Sequence, residues 1–225
     1  MDLLSMRWED VLFAHWGVEP ARVAEKLPDG IEVDTYDGRA WLGVVSFVMR
    51  DIRPRFSPLG LDFAELNLRT YVRADGTPGI YFFSLDAGDG LGVSVARLAY
   101  DLPYYRANAQ VETDGEVRLR SSRTHDGAPP ANFDATYEGV GEDFLAEEGS
   151  LDAFLTERYS FFVPLDSGGT LRGDVRHSPW PLREARAEIR TNTVFEANGF
   201  EEPDGEPSLL YSPGVDVTAT RPRRM

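Results

Sequence analysis

Apolar and polar residues alternate with a period of two along most of the chain, and each alternating stretch ends at a turn signal. Side chains two apart share one face of a strand, so this pattern predicts strands rather than helices. Ile31 to Tyr36 and Ala40 to Met49 are two such stretches, joined at Asp37-Gly38, a pair whose ease with positive φ suits a tight hairpin turn. Ala64 to Arg73 and Gly79 to Leu85 flank Asp75-Gly76-Thr77-Pro78, while Asn108 to Glu112 and Glu116 to Arg123 flank Thr113-Asp114-Gly115. Further strands are predicted at Phe133 to Gly139, Tyr159 to Val163, Gly169 to Val175, Leu182 to Arg190 and Gly214 to Thr220. The expectation is a mainly β, mostly antiparallel protein.

Helical periodicity is rarer. Glu19-Pro20 opens one helix that runs to Lys26 and is stopped by Pro28. Ser150 caps a second, running to Arg158, with Leu151, Phe154 and Leu155 on one face. Gly92 to Tyr100 is predicted as a third. No internal repeat, low-complexity tract or linker divides the chain, so residues 1–225 are read as one domain, with Arg221 to Met225 as a frayed tail.

Charge changes the picture next. Against 23 basic residues stand 38 acidic ones, a formal net charge of −15. Such a surface repels a phosphate backbone and offers anionic lipid no basic patch, so neither nucleic acid nor a membrane is an expected partner. No apolar run approaches the roughly 18 residues of a spanning helix, and Met1 to Met6 lacks the cationic start of a signal peptide. A cytoplasmic location is the expectation. Dense carboxylates with almost no lysine also match the surfaces of salt-adapted, halophilic proteins, in which concentrated salt screens self-repulsion. Self-association into a homo-oligomer is compatible with the pattern.

The chemistry available is restricted. Cys is absent, Lys26 is the only lysine, and the three histidines, His15, His125 and His177, lie far apart in the sequence. No metal or cofactor is expected, because phosphate-loop, nucleophile-elbow and paired-ligand signatures are all missing. Gly88-Asp89-Gly90-Leu91-Gly92 lacks the strand–glycine–helix context of a dinucleotide loop and is read as a turn.

Three clusters carry candidate chemistry. On a strand, Glu65, Asn67, Arg69 and Tyr71 share one face, opposite Leu66, Leu68, Thr70 and Val72. An acid, an amide, a guanidinium and a phenol together suit a ligand site, whereas a plain solvated face in so acidic a protein would carry mostly Asp and Glu. The second cluster, Arg97 with Tyr104, Tyr105 and Arg106, could stack on a planar ligand and grip a carboxylate; a Tyr-rich strand edge is the alternative. The third, His177-Ser178-Pro179-Trp180-Pro181, fixes one Trp between two prolines, with His177 a general acid or base or simply a packing residue.

Taken together these segments resemble the YqjF-like family of uncharacterised proteins. The resemblance rests on His15-Trp16, Pro28-Asp29-Gly30, Asp37-Gly38-Arg39-Ala40, the stretch from Glu65 to Val72, Gly79 to Asp86, Ala96-Arg97, Leu102 to Tyr105, Phe154 to Tyr159 and His177 to Leu182, and so spans nearly the whole chain. That family is related to the acetoacetate decarboxylase-like superfamily. The resemblance therefore implies a closed, mainly antiparallel β barrel around a small-molecule cavity, with a few short helices. In true acetoacetate decarboxylases a lysine after a proline on a barrel strand forms a Schiff base with the keto acid, helped by a neighbouring lysine. The matching stretch here is Leu102-Pro103-Tyr104-Tyr105, so the resemblance implies no Schiff-base decarboxylation at that place, with Glu65 as the counterpart of the decarboxylase acid.

Three functions fit these residues. The leading one is a barrel that binds a small organic acid or planar compound, without Schiff-base chemistry. The second is a lyase or hydrolase acting on a small organic acid or carbonyl compound, with Glu65, Tyr104 and Tyr105 catalytic. Asn67, Arg69, Tyr71, Arg97, Arg106, His177 and Trp180 would then bind substrate, and Arg69 would keep Glu65 ionised until a ligand carboxylate competes for it. The third is a structural protein without a ligand.

Overall fold

The computed structural model describes residues 2–88, 102–165 and 167–225. Among the described residues thirteen strands share one hydrogen-bonded sheet: β1 (Asp2–Val18), β2 (Glu32–Val33), β3 (Ala40–Pro54), β4 (Leu61–Ala74), β5 (Thr77–Ala87), β6 (Tyr104–Asp114), β7 (Glu116–Arg123), β8 (Asn132–Phe144), β9 (Ser160–Pro164), β10 (Thr170–Arg176), β11 (Leu182–Asn192), β12 (Ser208–Thr220) and β13 (Arg223–Arg224). Among the described residues the helices are short: α1 (Pro20–Ala24), α2 (Leu151–Thr156) and α3 (Val194–Ala197). The expected helix over residues 92–100 lies outside the described residues, as does most of the 88–92 glycine run.

Strand neighbours run β5-β6-β7-β8-β11-β12-β1-β3-β4, and β4 pairs in turn with β5. Pairing is mostly antiparallel. The exceptions are β5 with β6, where Leu85 stands beside Tyr104, and β5 with β9. A parallel neighbour needs a long return connection, which the chain between Ala87 and Tyr104 has the length to supply.

The three turns that the sequence predicts are present. Asp75 and Gly76 both take positive φ, 47° and 73°, between β4 and β5, and Gly115 does so at 80° between β6 and β7. Asp37-Gly38 likewise makes a two-residue turn, closed by paired bonds between Tyr36 and Arg39. The strand before it is not the hairpin partner of β3, however. β3 follows β4 only as far as Thr70, and β2 takes the open edge beyond it, with Glu32 and Val33 opposite Arg73 and Val72.

Two further expectations are corrected. The tail is not frayed: Arg223 and Arg224 pair with Arg172 and Leu171, and Arg223 lies 3.5 Å from Asp174. The longest strand, β1, has no counterpart in the predicted pattern. Asp10 adopts φ 51° in its middle, where the register with β3 shifts, and the inward parity switches from Leu4, Met6 and Trp8 to Val11 and Phe13. Asp51 does the same in β3, between Met49 and Ile52. Each bulge adds one residue to the strand and so breaks the period-two signal.

The β1-β3-β4 wall separates two apolar layers. Val11, Phe13, Val45, Phe47 and Leu85 belong to one, and Leu12, Val44, Leu66, Leu68, Phe133 and Phe195 to the other. Strands covered on both faces explain the long apolar runs of β3 and β4.

Candidate functional site

Register across β3, β4 and β5 builds the site in rungs. Glu65 stands opposite Phe47 and Ala87, Asn67 opposite Val45 and Leu85, and Arg69 opposite Gly43 and Phe82. The predicted alternation therefore holds, but the polar face does not meet solvent: Glu65 is 3% exposed, Asn67 2%, Arg69 9% and Tyr71 0%. Four polar side chains inside an apolar layer need partners there.

Glu65 accepts a hydrogen bond from the Tyr104 hydroxyl at 2.9 Å and a longer one from the Asn67 amide at 3.4 Å. Burial pushes its carboxyl up to about 7, against the pull of Tyr104, Asn67 and Arg69, and Asp86 adds to the rise. Arg69 thus pulls Glu65 toward its ionised form, as expected, but burial outweighs that pull. Asn67 is the next same-face neighbour of Glu65, and Arg69 lies four residues along, roughly 13 Å of strand rise.

Arg69 reaches the Leu155 carbonyl at 3.3 Å, and its guanidinium lies 5.5 Å from the Phe13 ring. Its Nε is buried without an acceptor, and among the described residues no carboxylate lies at ion-pairing distance. Tyr71 donates to the same Leu155 carbonyl at 2.6 Å and also lies 2.6 Å from His15 Nε2. Because the hydroxyl proton is spent on Leu155, the network assigns Nε2–H of His15 as the donor to Tyr71. Burial first, and Arg69 second, hold the His15 imidazole well below its ordinary range, which keeps it neutral.

Glu65, Arg69 and Tyr104 line a cavity of about 120 Å³, joined by the predicted His177 and Trp180. Trp180 stacks on Trp8 at 5.8 Å, and its indole N–H donates to the Thr156 carbonyl at 3.1 Å. His177 donates through Nδ1 to the Ser178 carbonyl at 2.7 Å and stacks on Tyr159; burial lowers its pKa. Asn67 and Tyr71 are not in the cavity wall and act on it through Glu65 and Leu155.

Other expected residues sit elsewhere. Tyr105 follows Tyr104 on β6 and so faces the other way, edge-on to His125 with Arg123 4.0 Å over its ring. Arg106 is exposed, 3.7 Å from Asp126. Arg97 lies outside the described residues. Lys26 is exposed and sits over the Phe200 ring at 4.9 Å, outside the cavity wall.

The cavity also contains residues that the sequence pattern did not single out: Trp8, Thr156, Arg158 and Ser160. Arg158 bridges the Phe154 carbonyl and Asp34, at 2.8 and 2.9 Å. It closes a segment predicted as helix, where an arginine passes for the polar face. The available signal is the junction itself, since a helix ending directly before a strand turns its last side chains toward the sheet.

Comparison with known proteins places this geometry. Residues 5–216 match a family described as an uncharacterized conserved protein. The chain is 41% identical over 219 residues to the uncharacterized protein YqjF of Bacillus subtilis (strain 168), covering 96% of this chain and 89% of that one. Among solved structures it is similar to the enduracididine biosynthesis enzyme MppR complexed with pyruvate, with a TM-score of 0.65, 13% identity, and 100% of this chain and 91% of that one covered. It is likewise similar to acetoacetate decarboxylase from Legionella pneumophila, with a TM-score of 0.64, 11% identity and coverage of 98% and 86%. An acetoacetate decarboxylase-like enzyme from Sphingomonas wittichii RW1 gives a TM-score of 0.62 at 14% identity, covering 100% and 93%. The fold is thus mostly β with acetoacetate decarboxylase-like neighbours, and the chain belongs to the YqjF-like family of uncharacterized conserved proteins.

Proposed function

We propose that the chain is a single-domain barrel, closed by the β4–β5 pairing, that holds a small organic acid in its cavity. One observation carries this reading: Arg69 is buried in a mostly apolar wall with its Nε unpaired and no carboxylate at ion-pairing distance among the described residues. An unneutralised buried guanidinium is costly, and a ligand carboxylate is the group that would complete it. Glu65 and Tyr104 supply a second polar end, for a carbonyl or hydroxyl, and Trp8 and Trp180 an aromatic flank for a planar group. The neighbour MppR was solved with pyruvate, an acid of this kind. The only lysine lies outside the cavity wall, so the reading has no Schiff base.

Titration calorimetry with pyruvate, acetoacetate and benzoate tests the reading. We expect at least one to bind, Arg69→Ala to abolish that binding, and borohydride to trap no adduct with any of the keto acids. Binding left intact by Arg69→Ala would remove the acid from this place.

A second reading, catalysis on the bound acid, is favoured by Glu65 specifically. A carboxyl near 7 is poised to give and take a proton at neutral pH. Turnover of a bound acid that stops in Glu65→Gln while binding persists would establish it.

A further inference from the structure

With no carboxylate at ion-pairing distance among the described residues, Arg69 is held in place by other groups, and the last three carbonyls of α2 stand out. The final turn of a helix leaves its carbonyls without partners in the helix, and here each takes a cavity side chain or one beside it. Phe154 accepts from Arg158, Leu155 from Tyr71 and Arg69, and Thr156 from Trp180.

Leu155 is shared unequally. Its bond from Tyr71 is 2.6 Å long and its bond from Arg69 3.3 Å. Tyr71 therefore takes the stronger position, and the guanidinium is left with its Nε unpaired. Tyr71 is itself fixed from behind by His15 at 2.6 Å. Room for that imidazole exists because residue 43 is glycine: a Cβ there would stand 2.6 Å from the His15 ring and 3.4 Å from Arg69 Cγ.

Resting on the acid-binding reading, we propose that Tyr71, oriented by His15, is a positioning residue that keeps Arg69 from closing onto Leu155 and so leaves its guanidinium, which lines the cavity, for a ligand carboxylate. Without the Tyr71 hydroxyl, Leu155 has a free lone pair, and the nearest strong donor is Arg69. The guanidinium would then satisfy itself on the protein. His15 acts one step further back, through an N–H that needs no change of charge.

The test uses Tyr71→Phe, His15→Leu and His15→Gln in the full chain, with two readouts. Calorimetry measures the affinity for pyruvate and benzoate. ¹⁵N-arginine NMR, with the Arg69 Nε–H signal assigned through Arg69→Lys, measures the exchange of that proton with water and needs no ligand. We expect Tyr71→Phe and His15→Leu to weaken carboxylate binding by about tenfold, the size of one lost hydrogen bond, and to change the exchange rate in the same direction. His15→Gln, which keeps an N–H donor, is expected to restore both. Unchanged exchange in Tyr71→Phe and His15→Leu, or His15→Gln behaving like His15→Leu, would overturn the proposal. Should wild type bind neither acid while exchange responds as expected, the positioning stands and the acid reading falls. Should all three variants bind as wild type does, the positioning falls and the acid reading stands.

Discussion

Glu65 shows how environment decides what a residue does. Its sequence neighbours suggest an ionised acid paired with Arg69, yet its raised pKa comes first from burial, which hydrogen bonds from Tyr104 and Asn67 only partly offset. The sign of the consequence for stability is definite. An acid whose folded pKa is raised binds more protons folded than unfolded, so its charged form costs stability as pH rises from the unfolded value of 4.5 to about 7. At about 1.4 kcal/mol per pH unit, the cost above that window is at most roughly 3 to 4 kcal/mol. Glu65→Gln mimics the protonated acid and removes this dependence. Chemical denaturation at pH 5 and pH 8 is expected to show the variant gaining on wild type at pH 8, and an equal difference at both would refute the raised pKa. Asp86 and Arg123 provide the contrast: both side chains are 1% exposed and held by paired bonds of 2.6 and 2.7 Å. Arg123→Ala would leave a buried charge without its partner, an expected loss of about 3–5 kcal/mol read by denaturant midpoint.

Among elements, α2 carries the most consequence for its length. Ser150 caps it by accepting from the Ala153 N–H at 3.1 Å, as the sequence predicts, and Leu155 buries its side chain fully. The carbonyls at its other end hold Arg69, Arg158 and Trp180. Ser150→Ala is expected to cost about 1 kcal/mol of stability and, by loosening that end, to weaken acid binding more than a surface substitution of equal cost; calorimetry beside thermal melting separates the two. The elements also show where the sequence was legible. Turns were, because Asp-Gly pairs at 37–38 and 75–76 need positive φ, which few residues adopt. The polar face of β4 was legible as a face, since Glu65, Asn67, Arg69 and Tyr71 keep strict alternation. Its burial was not, because the cover comes from distant β1, β6 and α2. β1 escaped because Asp10 inverts its parity halfway, and β2 and β13 because two-residue strands carry no period at all. Tyr104 and Tyr105 could be named together but not told apart until the strand placed them on opposite faces.

At the scale of the whole molecule the dominant quantity is the net charge of −15. Salt acts on it in two opposed ways. It weakens exposed ion pairs such as Arg7 with Asp216 and Arg50 with Asp62, at 3.2 and 3.1 Å, each worth about 0–1 kcal/mol. It also screens the repulsion among the excess carboxylates. The two differ in range. At 1 M salt the Debye length falls to about 3 Å, comparable to the contact distance of a pair but far shorter than the spacing of like charges over a surface. Repulsion is therefore lost before the pairs are, and the balance favours the folded state. We propose on this ground that the protein is salt-adapted and expect its melting temperature to rise between about 0.1 and 2 M NaCl, and equally in KCl. The exposed acidic stretch at Glu202, Asp204 and Glu206 provides the control. Converting these to Gln, Asn and Gln removes charge without touching either apolar layer, so the variant is expected to melt higher than wild type in low salt and to gain less from added salt. A wild-type melting temperature that stays flat or falls, or a variant that gains as much as wild type, would mean that repulsion does not limit this fold and that the acidic surface serves something other than salt.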